Sequence, residues 1–443
     1  MRRLVSLVIV AALAASALAD DKPAEKTPPK RAMPVYDGRA EEGTRAIDVL
    51  HTAGRVVLFP AWVVVNYGIR WPLGKFITWA ENSHGLRHVV NVWFLGPPTP
   101  TMSIFPIVLY DFGFQPSVGV RMLWEDGFAT PGSRFSFKLG VGGTDWYRAD
   151  VGTRIALPQH LKLWADVSVR HRPDQLYYGP GSNSPAEAKA RFADTRGAAT
   201  LAFGWTSLNV FVQSAATAAT ESRYGGNSSI SDRVADGLIP RLPTGYNELL
   251  LSHRGGIRLA LDTRSHKRIE SGARLDATIE RVTTSRYTTW THYDIKAGGA
   301  LKLDKVGERL LDIRARLQLI ESDHIDDVPF TELAAIGGAG DLRGFANGRA
   351  RGASAMSVMV DYQWPLAAWL DATLYLGSGN VFGENLGGFD LQHMRGSLGL
   401  GLGLAGLSDD RQIELWSALG FEPLGGGVDP SNFRLVLAYA YDY

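Results

Sequence analysis

The sequence predicts an all-β protein: a transmembrane antiparallel β-barrel of about sixteen strands with a short N-terminal helical segment. Three observations predict it. From residue 102 to the last residue, side chains alternate with a period of two, oily against polar or tiny. The chain opens on an export signal. Aromatic residues recur where the alternating segments end, as girdles at two membrane interfaces would require.

Composition sets the limits. The chain has 443 residues, no cysteine and a net charge of +1. That length allows two or three domains or one large barrel. Near-neutral charge argues against a nucleic-acid partner. Without cysteine there are no disulfides, no thiolate zinc sites and no thiol nucleophile. The 49 glycines, with 12 Trp, 15 Tyr and 18 Phe, suit many short strands and tight turns.

Residues 1–19 read as a secretory signal peptide: Arg2 and Arg3, an apolar run to Leu18, then Ala17-Leu18-Ala19 for the peptidase. Residues 20–44, with Pro23, Pro28, Pro29 and Pro34 among charges, read as a disordered Pro-rich leader. Residues 45–95 are apolar and aromatic. Their uncharged run 56–69 is short for a spanning helix and contains Pro60. Trp71, Trp79 and Trp93, with Arg70, Lys75, Arg87 and His88, suit a helical segment that lies at an interface or plugs a pore.

Alternation then takes over, and 102–443 is the barrel. Leu161, Leu163, Ala165, Val167 and Val169 oppose Lys162, Trp164, Asp166, Ser168 and Arg170. Ala273, Leu275, Ala277 and Ile279 oppose Arg274, Asp276, Thr278 and Glu280. Leu398, Leu400, Leu402 and Leu404 oppose Gly399, Gly401 and Gly403. A soluble sandwich would turn the oily faces inward; a membrane barrel turns them to lipid. The export signal and the aromatic strand ends (Trp146 and Tyr147, Tyr177 and Tyr178, Trp290 and Tyr293, Tyr362 and Trp364) favour the barrel. So does the last segment, where Phe433, Leu435, Leu437, Tyr439, Tyr441 and Tyr443 share a face. A last strand must pair with the first, because an open edge in lipid leaves backbone groups unsatisfied. Candidate strands fall near 102–111, 116–125, 133–142, 146–156, 160–171, 190–204, 208–219, 249–263, 270–283, 289–303, 309–321, 354–365, 368–377, 394–405, 411–421 and 433–443.

Between the eleventh and twelfth of these lies a long loop, 323–353, holding Gly337, Gly338, Gly340, Gly344 and Gly348. Such glycine density excludes a strand or helix interior and suits either a tight fold-back that presents Arg343 and Phe345 or a flexible surface linker.

Here the sequence resembles the BamA/TamA superfamily of outer-membrane barrels (bacterial surface antigen type). The resemblance covers about the C-terminal three quarters of the chain. Its matches are Gly337-Gly338 with Arg343-Gly344-Phe345, Tyr177-Tyr178-Gly179-Pro180-Gly181-Ser182-Asn183-Ser184, Tyr362-Gln363-Trp364-Pro365-Leu366, Gly379-Asn380-Val381-Phe382 and the aromatic C-terminus. It implies a loop folded back into the lumen with Arg343-Gly344-Phe345 at its tip. It departs twice. Residues 20–101 lack the strand–helix–helix–strand–strand pattern of a POTRA module, so the chain resembles a branch without POTRA. The position where the family carries an acid for the loop arginine is Gly377. By parity the lumen-facing carboxylates for Arg343 are Asp361 and Asp371, although strand rise puts Asp371 about 20 Å from position 377.

The resemblance implies insertion or translocation of protein or lipid at the outer membrane of a double-membrane bacterium. The partners would be outer-membrane lipid and lipopolysaccharide, with unfolded outer-membrane proteins or periplasmic proteins as cargo. We expect a monomer with no cofactor. A passive or structural pore, its lumen lined by Arg258, Asp262, Arg264, Arg274 and Glu280, is the alternative. No catalytic motif is present, and His84/His88 lack a third metal ligand, so we expect neither an enzyme nor a metal site. A lipid-active enzyme would have to use His253, His266 or His292, with no base-orienting group to name.

Overall fold

The structure is a computed structural model that describes residues 102–126, 131–264, 271–286, 288–303, 309–367, 370–404, 413–423 and 430–439. The signal peptide, the leader, the helical segment 45–95, His84, His88, His266, Tyr441 and Tyr443 lie outside the described residues.

Sixteen antiparallel strands close into one barrel. In chain order they are β1 (Met102–Asp111), β2 (Ser117–Glu125), β3 (Arg134–Gly142), β4 (Trp146–Ala156), β5 (Lys162–Tyr177), β6 (Ala190–Gly204), β7 (Leu208–Glu221), β8 (Glu248–Asp262), β9 (Gly272–Thr284), β10 (Thr289–Lys302) and β11 (Leu310–Ser322), then, after a long loop, β14 (Ser354–Ala367), β15 (Leu370–Phe382), β16 (Arg395–Leu404), β17 (Ile413–Phe421) and β18 (Pro430–Tyr439). β12 (Ala334–Ile336) and β13 (Ala350–Gly352) pair with each other inside that loop. β18 returns to β1, and β11 pairs directly with β14. The expected strand number therefore holds. Some ends run further than alternation suggested. β5 continues to Tyr177 through a register shift between Arg172 and Gln175. Pro173 sits in that bulge, where a residue without an amide hydrogen is tolerated and side-chain parity is lost.

Faces follow the alternation. Val167 and Val212 are 55% and 59% exposed on the outer wall, in company with Leu201, Ile257, Ile279, Ile313 and Leu400. The opposite phase carries ion pairs into the lumen: Arg274–Asp312 at 2.6 Å, Arg316–Asp294 at 2.9 Å and Arg254–Glu280 at 3.1 Å. An apolar exterior over a charged, wet interior is the arrangement of a membrane barrel. Among the described residues no helix is long and apolar enough to cross a membrane.

The aromatic strand ends divide differently from the girdle expectation. Tyr147 is exposed on the outer face, and Tyr362 stacks on Trp364 at 5.4 Å. Trp146, Tyr177, Tyr178 and Trp290 are instead buried. Tyr177, Tyr178 and Trp290 point inward because the loops fold over the barrel end and pack on them, while Trp146 lies against Gly140 of β3.

The connections 178–189, 222–247, 323–353 and 383–394 all lie at that one end. The second contains α1 (Ile230–Ala235), started by a Ser229–Asp232 capping box and not foreseen from the sequence. Phe330 of the long loop packs edge-on against Tyr177 and Phe192, each at 5.0 Å, in one cluster with Ile230, Ile239 and Tyr246. The loop then descends into the lumen, where Ile336, Leu342, Phe345 and Ala350 pack with Val282, Trp290, Ile320 and Val381 of the wall.

Candidate functional site

The loop tip is a fixed object. Gly337 has φ 103° and Gly338 φ 101°, a region L side chains avoid. There Gly338 donates to the Phe345 carbonyl at 2.8 Å and Phe345 to that of Leu342 at 3.0 Å, closing the turn.

The wall receives the tip in a trough. One inward row runs Arg434, Ala418, Gly399, Tyr375, Asp361 and Asp312 across β18, β17, β16, β15, β14 and β11. The next runs Gly420, Ser397, Gly377 and Met359. The floor is thus made of small residues, which accounts for the inward glycines of β16. Gly344 lies on it so closely that a β-carbon would overlap the Leu419 carbonyl, and its amide donates to Ser397 Oγ at 2.8 Å. Phe345 is completely buried.

Arg343 reaches the far side of the trough. Its Nε donates to the Ala339 carbonyl at 2.9 Å, and its Cζ stands 3.7 Å from the Tyr375 ring centroid. Its Nη2 is 3.7 Å from Asp361 Oδ2, a carboxylate that Arg314 also holds. Of the two expected partners, the structure therefore brings Asp361 to Arg343. Asp371 is buried beside Gln363, whose Nε2 donates to it at 3.0 Å. The missing acid at 377 has a steric counterpart: a β-carbon on Gly377 would stand 2.9 Å from Leu342 Cδ2. Leu342 fills that space and Tyr375 supplies the negative ring face, a cation–π arrangement that stabilises a desolvated guanidinium.

A second knot holds the loop above the tip. Arg349 and Arg395, each with a side chain 1% exposed, share Glu422 at 2.6 and 2.9 Å. Arg395 also donates to the Ser182 carbonyl at 2.8 Å and to Asn380 Oδ1 at 2.5 Å; Arg349 donates to Ser184 Oγ at 3.1 Å and lies 4.3 Å from the Tyr178 ring. Two motifs of the resemblance, Tyr178–Ser184 and Gly379–Phe382, are thus the two walls of one cation seat. Burial works against ionisation of Glu422, but the two guanidiniums outweigh it and its carboxyl titrates below the usual range.

The barrel seam lies beside the trough. Val108, Leu109, Tyr110 and Asp111 pair with Tyr439, Ala438, Leu437 and Val436. Phe433 and Leu437 are exposed on the outer face, with Leu435 half-buried in the same phase. Arg434 and Asp111 bridge the seam on the inside at 2.5 Å.

Sequence reading missed Asp111, Arg349, Tyr375, Arg395, Glu422 and Arg434. A signal existed for the seam pair: each is a charge at the inward phase of its strand next to apolar residues, Phe105, Ile107 and Leu109 in β1, Val436 and Ala438 in β18. The histidines do not gather. His292 Nδ1 faces Glu280 in the lumen at 3.1 Å, while His253 Nδ1 meets Ser214 Oγ at 2.9 Å on the outer face. Among the described residues no cluster is suited to a metal ion.

A closed sixteen-stranded antiparallel barrel with a glycine-turned loop folded into its lumen defines the class. Among solved structures the chain is similar to BamA from Haemophilus ducreyi lacking POTRA domains 1-3, at 14% identity over 77% of this chain and 70% of that one, TM-score 0.50. It is also similar to CdiB from Acinetobacter baumannii (11% identity, 77% and 60% covered, TM-score 0.48) and CdiB from Escherichia coli (12%, 77% and 64%, 0.48), spanning less than two thirds of either. At 14% identity the likeness to the BamA structure shows the fold alone, a closed antiparallel barrel such as the alternation predicted. No family model and no curated protein sequence matches the chain.

Proposed function

We propose that this barrel acts in insertion or translocation of protein or lipid at the outer membrane, with the β1–β18 seam as its working part. One observation carries the reading: the loop tip is seated on β15–β18, the strands that end at the seam, rather than in mid-lumen. A passive pore has no need of a loop held against its closing strands. The partners are then outer-membrane lipid, lipopolysaccharide and an unfolded outer-membrane or periplasmic protein as cargo, met by a monomer.

The chain lacks cysteine, so a locked seam can be made by Tyr110→Cys with Leu437→Cys, which are register partners. In lipid vesicles the open form should speed insertion of an added unfolded outer-membrane barrel, and the cross-linked form should not. Equal acceleration by both forms sinks the proposal.

A passive pore is favoured by a different observation, a lumen cavity of about 1750 Å³ lined by Arg154, Arg196, Arg274, Asp276 and Arg316 among others. Steady conductance unaffected by the seam cross-link supports it. Among the described residues the exposed Ser214–His253 pair favours a lipid-active enzyme. Lipid hydrolysis lost in Ser214→Ala would establish that reading.

A further inference from the structure

Three parts of the molecule meet on one side chain. Arg434 projects inward from β18. Its Nη1 donates to the Phe345 carbonyl at 2.8 Å and to the Arg343 carbonyl at 3.3 Å, both in the loop tip. Its Nη2 bonds Asp111 Oδ2 at 2.5 Å, and Nε reaches Oδ1 at 3.4 Å. Asp111 is the last residue of β1. Its neighbour Phe112 adds a further bond to β18, from its amide to the Leu435 carbonyl at 3.0 Å.

We propose that Arg434 is a positioning residue that latches the loop tip to the seam: β1 cannot part from β18 at this end while the tip is docked, and undocking the tip weakens the seam. The inference rests on reading the seam as the working part and names what controls it.

The guanidinium is planar, with its donors in a fixed fork. Here one edge faces Asp111 and the remaining nitrogen faces the two carbonyls. A swing that keeps one set breaks the other. The side chains of Arg434 and Asp111 are 10% and 13% exposed. If β1 withdraws, Arg434 is left as a nearly buried cation without its counter-ion, a costly state. If the tip withdraws, Arg434 loses both carbonyls and keeps only Asp111 and the face of Trp416, whose ring centroid is 5.1 Å away. Each partner therefore holds the other's place, and such coupling is reciprocal by thermodynamic necessity. Among the described residues Asp111 makes no hydrogen bond to the loop; its polar link to the tip runs through Arg434, beside the apolar cluster that Leu109 of β1 shares with Ala339. A lysine, with one compact ammonium, cannot serve both directions in this geometry.

The test uses two reporters in vesicles of phosphatidylethanolamine and phosphatidylglycerol. Ala339→Cys is buried with the tip docked and reports loop release by maleimide labelling. The outward pair Tyr110→Cys with Leu437→Cys reports seam closure by disulfide yield. Asp111→Asn should raise labelling at 339 roughly tenfold, within the usual range of couplings between sites. Gly344→Ala, whose methyl would meet the Leu419 carbonyl of β17 and lift the tip off its floor, should lower the seam disulfide yield. Arg434→Lys should keep the barrel folded, judged by heat-modifiable migration, and raise labelling while lowering the yield. The proposal is overturned if Asp111→Asn leaves labelling unchanged, or if the seam yield ignores Gly344→Ala. Should Asp111→Asn fail to fold, Arg434→Lys decides alone, and unchanged values in both reporters overturn the latch. Neither reporter involves a client. Coupled reporters without insertion activity therefore sink the proposed function and leave the latch; insertion with uncoupled reporters sinks the latch alone.

Discussion

Gly344 of the loop and Gly420 of β17 meet backbone to backbone: a β-carbon on Gly420 would lie 2.8 Å from the Gly344 carbonyl and 2.8 Å from the Phe345 ring. Nothing larger than hydrogen fits on either side. Gly420→Val should expel the tip and cost about 1–3 kcal/mol by overpacking. The expected readout is earlier heat-modification of the barrel in detergent, with new protease cuts in 323–353. An unchanged cleavage pattern would show that the trough is wider than described.

Arg343 is held by a ring as much as by a carboxylate. Tyr375→Leu should therefore release the loop at least as readily as Asp361→Asn, measured as loop proteolysis. Arg343→Ala should do so more than either, because both contacts are lost. Restoring an acid with Gly377→Asp should not tighten the loop, since the new side chain meets Leu342. A gain in thermal stability for that variant would refute this account of the departure.

Glu422 is the carboxylate shared by two buried guanidiniums. Removing its charge with Glu422→Gln should cost on the order of 3–5 kcal/mol, the usual result of breaking a buried ion pair from one side. The pH dependence has a definite sign. The folded-state pKa of Glu422 is depressed, so its contribution is present above the ordinary value of about 4.3 and fades as pH falls through the lower folded value. Protease sensitivity of the loop segment 383–394 should rise on acidification through that window in the wild type. In Glu422→Gln it should be high already and change little.

Orientation of the wall can be tested by paired substitutions. Leu201 faces outward, and the adjacent Thr200 faces the lumen, accepting from Gln213 Nε2 at 2.7 Å. Leu201→Arg should cost roughly 2–4 kcal/mol if that face meets acyl chains near mid-membrane. Thr200→Arg should cost less, the lumen being wet. Equal refolding yields for the two in lipid vesicles, or a purified chain monodisperse without detergent, would invert the assignment.

How much of this could be read from residues alone depends on which periodicity was in force. Within the wall, period two governs, and sixteen strands with their inward and outward sets followed from it. Residues such as Val167, Arg274 and Leu400 fall where parity placed them. Parity fails where the chain leaves the wall. The bulge at Pro173 hid the end of β5. The aromatic residues Tyr177, Tyr178 and Trp290 looked like girdle residues because nothing local says that loops will fold over them. Of the site, the glycine turn and Arg343-Gly344-Phe345 were legible from composition and resemblance. The cation seat of Arg349, Arg395 and Glu422 was not: its bonds join residues up to 213 apart in the chain, from Ser182 to Arg395. Such pairings carry no sequence period.

The exchange at position 377 also changes what conditions the tip can sense. A carboxylate facing Arg343 there would let acid loosen the tip. A tyrosine ring has no such vulnerability, because its face stays electron-rich at any acidity a cell envelope meets. With Tyr375 beneath Arg343, one of the two supports of the loop arginine keeps its strength in acid, and the Asp361 carboxylate is left as the support that acid can neutralise.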